Sequence, residues 1–124
     1  MVAGLGDLGL VLGLSAAGSA MGAGYAGMSA IGAWKKAYLQ SKAAPFIIIA
    51  FVGAPLSQTI YGMILRNTIQ AANLPPEMYV YQIILGAAAG LAIGLSALFQ
   101  GLCGAKACDA LVESGKGFGN YIMV

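Results

Sequence analysis

Ten charged side chains, Asp7, Lys35, Lys36, Lys42, Arg66, Glu77, Lys106, Asp109, Glu113 and Lys116, are all that the chain carries, and the intervals between them constrain its fold most. Three intervals are long and uncharged: Leu8 to Trp34, Ala43 to Leu65 and Met78 to Ala105. Each exceeds the roughly 20 apolar residues with which a helix crosses the hydrocarbon core of a bilayer. Composition points the same way, since only 8% of residues are charged and 60% are hydrophobic, against a charged fraction of roughly a quarter in soluble domains. The expected fold is all-α and transmembrane, a single membrane domain over residues 1–124.

The net charge of +2 gives no footprint for nucleic acid, which requires a dense positive face. The lysines are better read as topology signals. Lys35, Lys36 and Lys42 lie between spans one and two, and Lys106 and Lys116 follow the third span, so by the positive-inside bias these turns face the cytoplasm and the N-terminus lies outside. The start, Met-Val-Ala-Gly-Leu-Gly-Asp, has no basic segment, so a cleaved secretory signal is not expected. Cys103 and Cys108 are two thiols in a chain without histidine, a set that does not make a zinc site. They read as small buried or interfacial side chains.

Span one, GLSAAGSAMGAGYAGMSAIGAW, is rich in glycine and alanine. Such a helix is poor in water but persists in lipid, where the backbone must satisfy its own hydrogen bonds. Gly18 and Gly22 stand four apart, as do Ser15 and Ser19, which leaves one face close to bare backbone and open to a neighbouring helix. Gly22-Ala-Gly24-Tyr-Ala-Gly27 matches the G-x-G-x-x-G string of dinucleotide-binding loops, but that motif needs a strand before it and a helix opening after it. Here both flanks are membrane helix, so Gly18, Gly22, Gly24 and Gly27 are assigned to helix packing and no cofactor is expected.

Span two contains Pro55, which removes a donor from the helix ladder and is expected to free the carbonyl of Phe51 and bend the helix. Ser57, Gln58 and Thr59 follow at once, polar side chains that are costly against lipid. They serve either an ion-lined environment or interhelical hydrogen bonding. The stretch Asn73-Leu-Pro75-Pro76 marks a turn. In span three GLSA recurs at Gly94 to Ala97, as at Gly13 to Ala16, which points to a duplicated helical hairpin, the first about 8–66 and the second about 77–124. The residues after Lys116 then read as the start of a fourth helix, too short to cross a bilayer before Val124.

Counted from the lysine-bearing turns, Gln58 lies about 16 residues beyond Lys42 and Gln100 about 15 before Gly115, so each carboxamide stands roughly 23 Å from its turn. Two carboxamides and the Ser57 hydroxyl at one depth form a neutral oxygen set of the kind a hard cation such as sodium accepts. A cation stripped of water also needs an anion. Asp7, Glu77, Asp109 and Glu113 all fall toward the ends of the spans.

The segments GSAMGAGYAG at Gly18 to Gly27, APLSQTIYG at Ala54 to Gly62 and ALFQG at Ala97 to Gly101 together resemble the four-helix proteolipid, subunit K or c, of V-type and A-type rotary ATPases. The resemblance covers nearly the whole chain. It implies a non-catalytic subunit of a rotor ring that carries sodium or protons across the membrane, coupled to ATP hydrolysis or synthesis by other subunits. It also implies Ser57, Gln58 and Gln100 as sodium-ligating side chains, the Ala54 carbonyl as a further ligand, and Tyr61 as the hydrogen-bond partner of an essential carboxylate. That carboxylate belongs to the family's fourth helix, and the resemblance puts it beyond Val124.

The implied partners are copies of the chain itself, the stator and central-stalk subunits and membrane lipid, in a prokaryotic cell membrane. The slender spans one and three would form the inner circle, with two and four outside. A structural glycine-packed oligomer or small pore is the alternative reading. A small secondary transporter is a third, disfavoured because three spans leave little room for alternating access.

Overall fold

The computed structural model describes the backbone of residues 6–124 and the side chains of residues 9–124. The extreme N-terminal residues, Met1 to Leu5, expected outside the cytoplasm, lie outside the described residues. Helix makes up 88% of the structure and no strand occurs among the described residues, in agreement with the all-α expectation. Helix α1 spans Gly6–Leu39, α2 Ile49–Gly53, α3 Ser57–Ala71, α4 Tyr79–Ser114 and α5 Phe118–Met123. Among the described residues three segments are long and apolar enough to cross a membrane, Gly9–Leu39, Phe46–Ala71 and Pro76–Ser114. The third contains its uncharged stretch whole, the first two begin one and three residues inside theirs, and all three run past the stretch at the C-terminal end, because charged side chains are tolerated in the end turns, where their heads reach the interface.

The second segment is the irregular one. Pro55 brings no N–H, and the chain winds as a 3-10 turn over Ala54–Leu56 between α2 and α3 instead of continuing as one bent α-helix. The carbonyl of Phe51, whose α-helical partner would be the Pro55 nitrogen, lies against Gly104 of α4, where a Cβ would come within 2.7 Å of its oxygen. Ser41 and Asn73 take left-handed backbone, at φ 55° and 48°, and close the two turns between spans. Asparagine adopts this conformation more readily than most residues.

Contacts gather the described residues into two compact units. The first holds α1 up to Ser19 together with Leu56–Ala97. In it α1 and α4 run parallel, with Val11 beside Gly90 and Gly18 against the backbone of Gly94, while α3 runs antiparallel, Ile69 packing with Val11 and Gly62 with Ser15. Ser15, Gly18 and Ser19 are all buried, the face that the four-residue spacing marks. The Ser15 hydroxyl donates to the Val11 carbonyl, 2.6 Å away on its own helix. The Ser19 hydroxyl has no partner among the described residues.

The second unit holds Ala20–Pro55 with Leu98–Val124. Its core is alanine from α1, Ile48 and Phe51 from the second span, and Cys108, Leu111 and Val112 from α4. Small side chains again allow close approach: Gly22 and Gly101 meet backbone to backbone, and the Ser29 hydroxyl reaches across to donate to the Ala105 carbonyl at 2.7 Å. Helix α5 docks through Phe118 on Phe51, with ring centroids 5.4 Å apart and planes tilted by 43°. Lys36 and Glu113 pair where α1 and α4 end, an exposed contact that adds little stability.

Trp34, the only tryptophan, ties the turn to α1 by donating its indole N–H to the Pro45 carbonyl at 2.8 Å. Trp34→Phe removes that donor and keeps most of the apolar body. It is expected to cost about 1 kcal/mol, read as a lower thermal midpoint of the helical circular-dichroism signal in mild detergent. An unchanged midpoint would mean that the bond contributes nothing.

Candidate functional site

The polar residues that follow Pro55 occupy the first turn of α3, inside a segment fit to span a membrane. Gln58 is buried, at 7% exposure, and Ser57 and Thr59 are half-buried beside it. The Ser57 hydroxyl donates to the Gln58 carboxamide oxygen at 3.1 Å, and the Gln58 amide nitrogen approaches the Ser96 hydroxyl of α4 at 3.5 Å. The last contact is at the long limit for a hydrogen bond. Within the first unit, then, a carboxamide and two hydroxyls from two antiparallel helices converge in an otherwise apolar setting.

Gly62 and Ser15 explain how this turn is held. A Cβ at position 62 would fall on the Ser15 side chain, so the glycine lets α3 lie directly on α1 one turn beyond Gln58. Of the Tyr61-Gly62 pair, the glycine therefore packs and the tyrosine points away, with its side chain exposed on α3. An exposed phenol in a segment fit to span a membrane can meet a group on another helix, and its O–H is the polar handle.

Ala54 and Gln100 belong to the second unit. Ala54 opens the 3-10 turn and is half-buried. Gln100 lies on α4 and is exposed. Both engage in interactions within the structure, as do Ser57 and Gln58. Of the four packing glycines, Gly18 and Gly22 are buried against Gly94 and Gly101 in their respective units. Gly24 is exposed with open space where a Cβ would stand, and Gly27 is half-buried, its Cβ position 3.7 Å from Val52.

Ser96 is the residue that reading the sequence missed as a site member. It was visible only as part of the repeated GLSA, although it precedes Gln100 by four residues and so shares its helical face. Cys108 is fully buried, its thiol 4.0 Å from the Ala26 carbonyl and 3.9 Å from that of Ile48, whereas Cys103 is exposed. These are the positions of a packing residue and a surface thiol.

No family profile, curated protein or solved structure matches this chain. The chemistry at Gln58 therefore carries the functional argument. Ser57, Gln58 and Ser96 supply neutral oxygens without charge, the kind of set that can replace part of a cation's hydration shell or bind a carboxyl group. Among the described residues no three His, Cys, Asp or Glu side chains gather into a transition-metal site.

Proposed function

We propose that the chain is an ion-carrying subunit of a membrane rotor ring, a proteolipid of the V-type or A-type rotary ATPases, which moves sodium or protons while other subunits handle ATP. The observation that carries this reading is the buried carboxamide of Gln58, held by Ser57 and facing Ser96 inside an apolar span broken at Pro55. A polar cluster at a helix break is costly in lipid unless it binds something. The ordered arrangement APLSQTIYG, in which Pro55 breaks the helix, Gln58 faces inward and Gly62 packs, supports the resemblance residue by residue.

In the mechanism, Ser57 and Gln58 present oxygens to the ion, and Tyr61, on the exposed face of α3, orients a carboxylate that supplies the opposite charge. That carboxylate comes from a further helix of the assembly. With the ion bound the site is neutral and passes through lipid, and a positive stator group displaces the ion by competing for the carboxylate. Duplicated hairpins, lysine-bearing turns in the cytoplasm and a prokaryotic cell membrane belong to the same reading. A purely structural glycine-packed oligomer draws less support, because Gly18 and Gly22 spend their bare faces on contacts within the chain.

Extraction from the native membrane in mild detergent is the direct test. The chain is expected to run on a native gel as a large oligomer that co-purifies with soluble ATPase subunits and exchanges radioactive sodium or, for a proton ring, blocks proton flow when the ring carboxylate is modified. A monomer free of ATPase subunits would remove the reading.

A further inference from the structure

A cavity of about 420 Å³ opens in the second unit, lined at its polar edge by Lys42 and Lys116 and on its apolar side by Ile47, Leu111 and Phe118. Its volume falls within the range of small-molecule sites. Leu39 ends the first candidate span, Phe46 begins the second and Ser114 ends the third, so the cavity sits where the spans leave the hydrocarbon. It is not part of the polar cluster at Gln58.

Both lysines are set by their backbones. Lys42 follows the left-handed Ser41, and its N–H donates to the Ala37 carbonyl at 2.8 Å. Lys116 stands between Gly115 and Gly117, both left-handed at φ 71° and 97°, and its carbonyl accepts from the Ser114 hydroxyl at 2.8 Å. A residue with a Cβ would be strained at either glycine, so the turn that aims Lys116 depends on them. Neither lysine makes an ion pair among the described residues. The field of Lys42 reaches Glu113, but that carboxylate is already paired with Lys36.

We infer that this cavity is a headgroup site for an anionic phospholipid, whose phosphate sits between Lys42 and Lys116 and whose upper acyl segment lies along Ile47, Leu111 and Phe118. Charge selects the anion, because two unpaired ammonium groups at one opening attract a phosphate and its counter-charge is not supplied by the protein. The apolar wall selects a lipid over a soluble phosphate, since a free ion leaves that wall wet while an acyl chain covers it. The five lysines of this unit, against the two carboxylates Asp109 and Glu113, give the surrounding surface the matching sign.

The test is lipid retention by the full chain in mild detergent, followed by native mass spectrometry as phosphatidylglycerol or phosphatidylcholine is titrated. Phosphatidylglycerol is expected to bind more tightly. Lys42→Gln with Lys116→Gln is expected to weaken it about 25-fold, at about fivefold per lysine, while Lys35→Gln with Lys106→Gln changes it less than about twofold. Equal losses in the two double variants, or equal retention of the two lipids, would overturn the site. Displacement of phosphatidylglycerol from the unmutated protein by millimolar inorganic phosphate would reassign it to a soluble anion and likewise overturn the proposal.

Discussion

Gly101→Ala is expected to destabilise the helix pair by at least about 3 kcal/mol, the upper end of the range for overpacking. An added Cβ at this position falls directly on the backbone of Gly22, touching its carbonyl and its Cα. A flexible side chain can turn aside from such a contact, but a helix backbone cannot, so α1 and α4 must separate in this unit. Separation forfeits the dispersion contacts of every small residue along the seam, which in lipid are the main attraction between helices. Gly32→Ala is the control, because nothing stands within 4 Å of its Cβ position and alanine is the better helix former by about 1 kcal/mol. Loss of helical signal as dodecyl sulfate is titrated into mild detergent measures both. If the two variants denature together, the backbone contact does not hold the unit.

Gln58→Leu is expected to raise the sodium concentration that protects the ring carboxylate against carbodiimide at least about tenfold, the least expected from loss of a ligand when partners behind ligands already contribute 10–100-fold. The same change should alter stability only modestly. Ser57 loses its acceptor and Ser96 its donor, contacts worth about 1 kcal/mol in membranes, while leucine fills the space. A structural role alone therefore predicts a small loss of stability and no change in protection. Unchanged protection in the native membrane would take Gln58 out of the site and leave it as interhelical glue.

Much of the fold was legible because hydropathy is a one-dimensional property. Three uncharged stretches became three helical segments fit to span a membrane, and Pro55 marked the place where the second one breaks. Residue type also pointed to Ser57 and Gln58 as the polar residues of interest, since such side chains have few places to go in lipid. The spacing of Ser15, Gly18, Ser19 and Gly22 marked a face that is buried.

The chain alone thus determined which of the described segments are long and apolar enough to span a membrane, where one is interrupted and which residue types are costly in lipid, because each follows from the transfer of single side chains or single backbone groups. Only the tertiary structure decided which small residues meet. Gly22 and Gly24 look alike in sequence, yet one is buried against Gly101 and the other is exposed. It also decided that Ser96 faces Gln58 and that Lys42 and Lys116 share one opening. In a helix whose faces are all small and apolar, periodicity hardly distinguishes one rotation from another. The choice is made by the sum of weak contacts with partners distant in sequence, which no local pattern records.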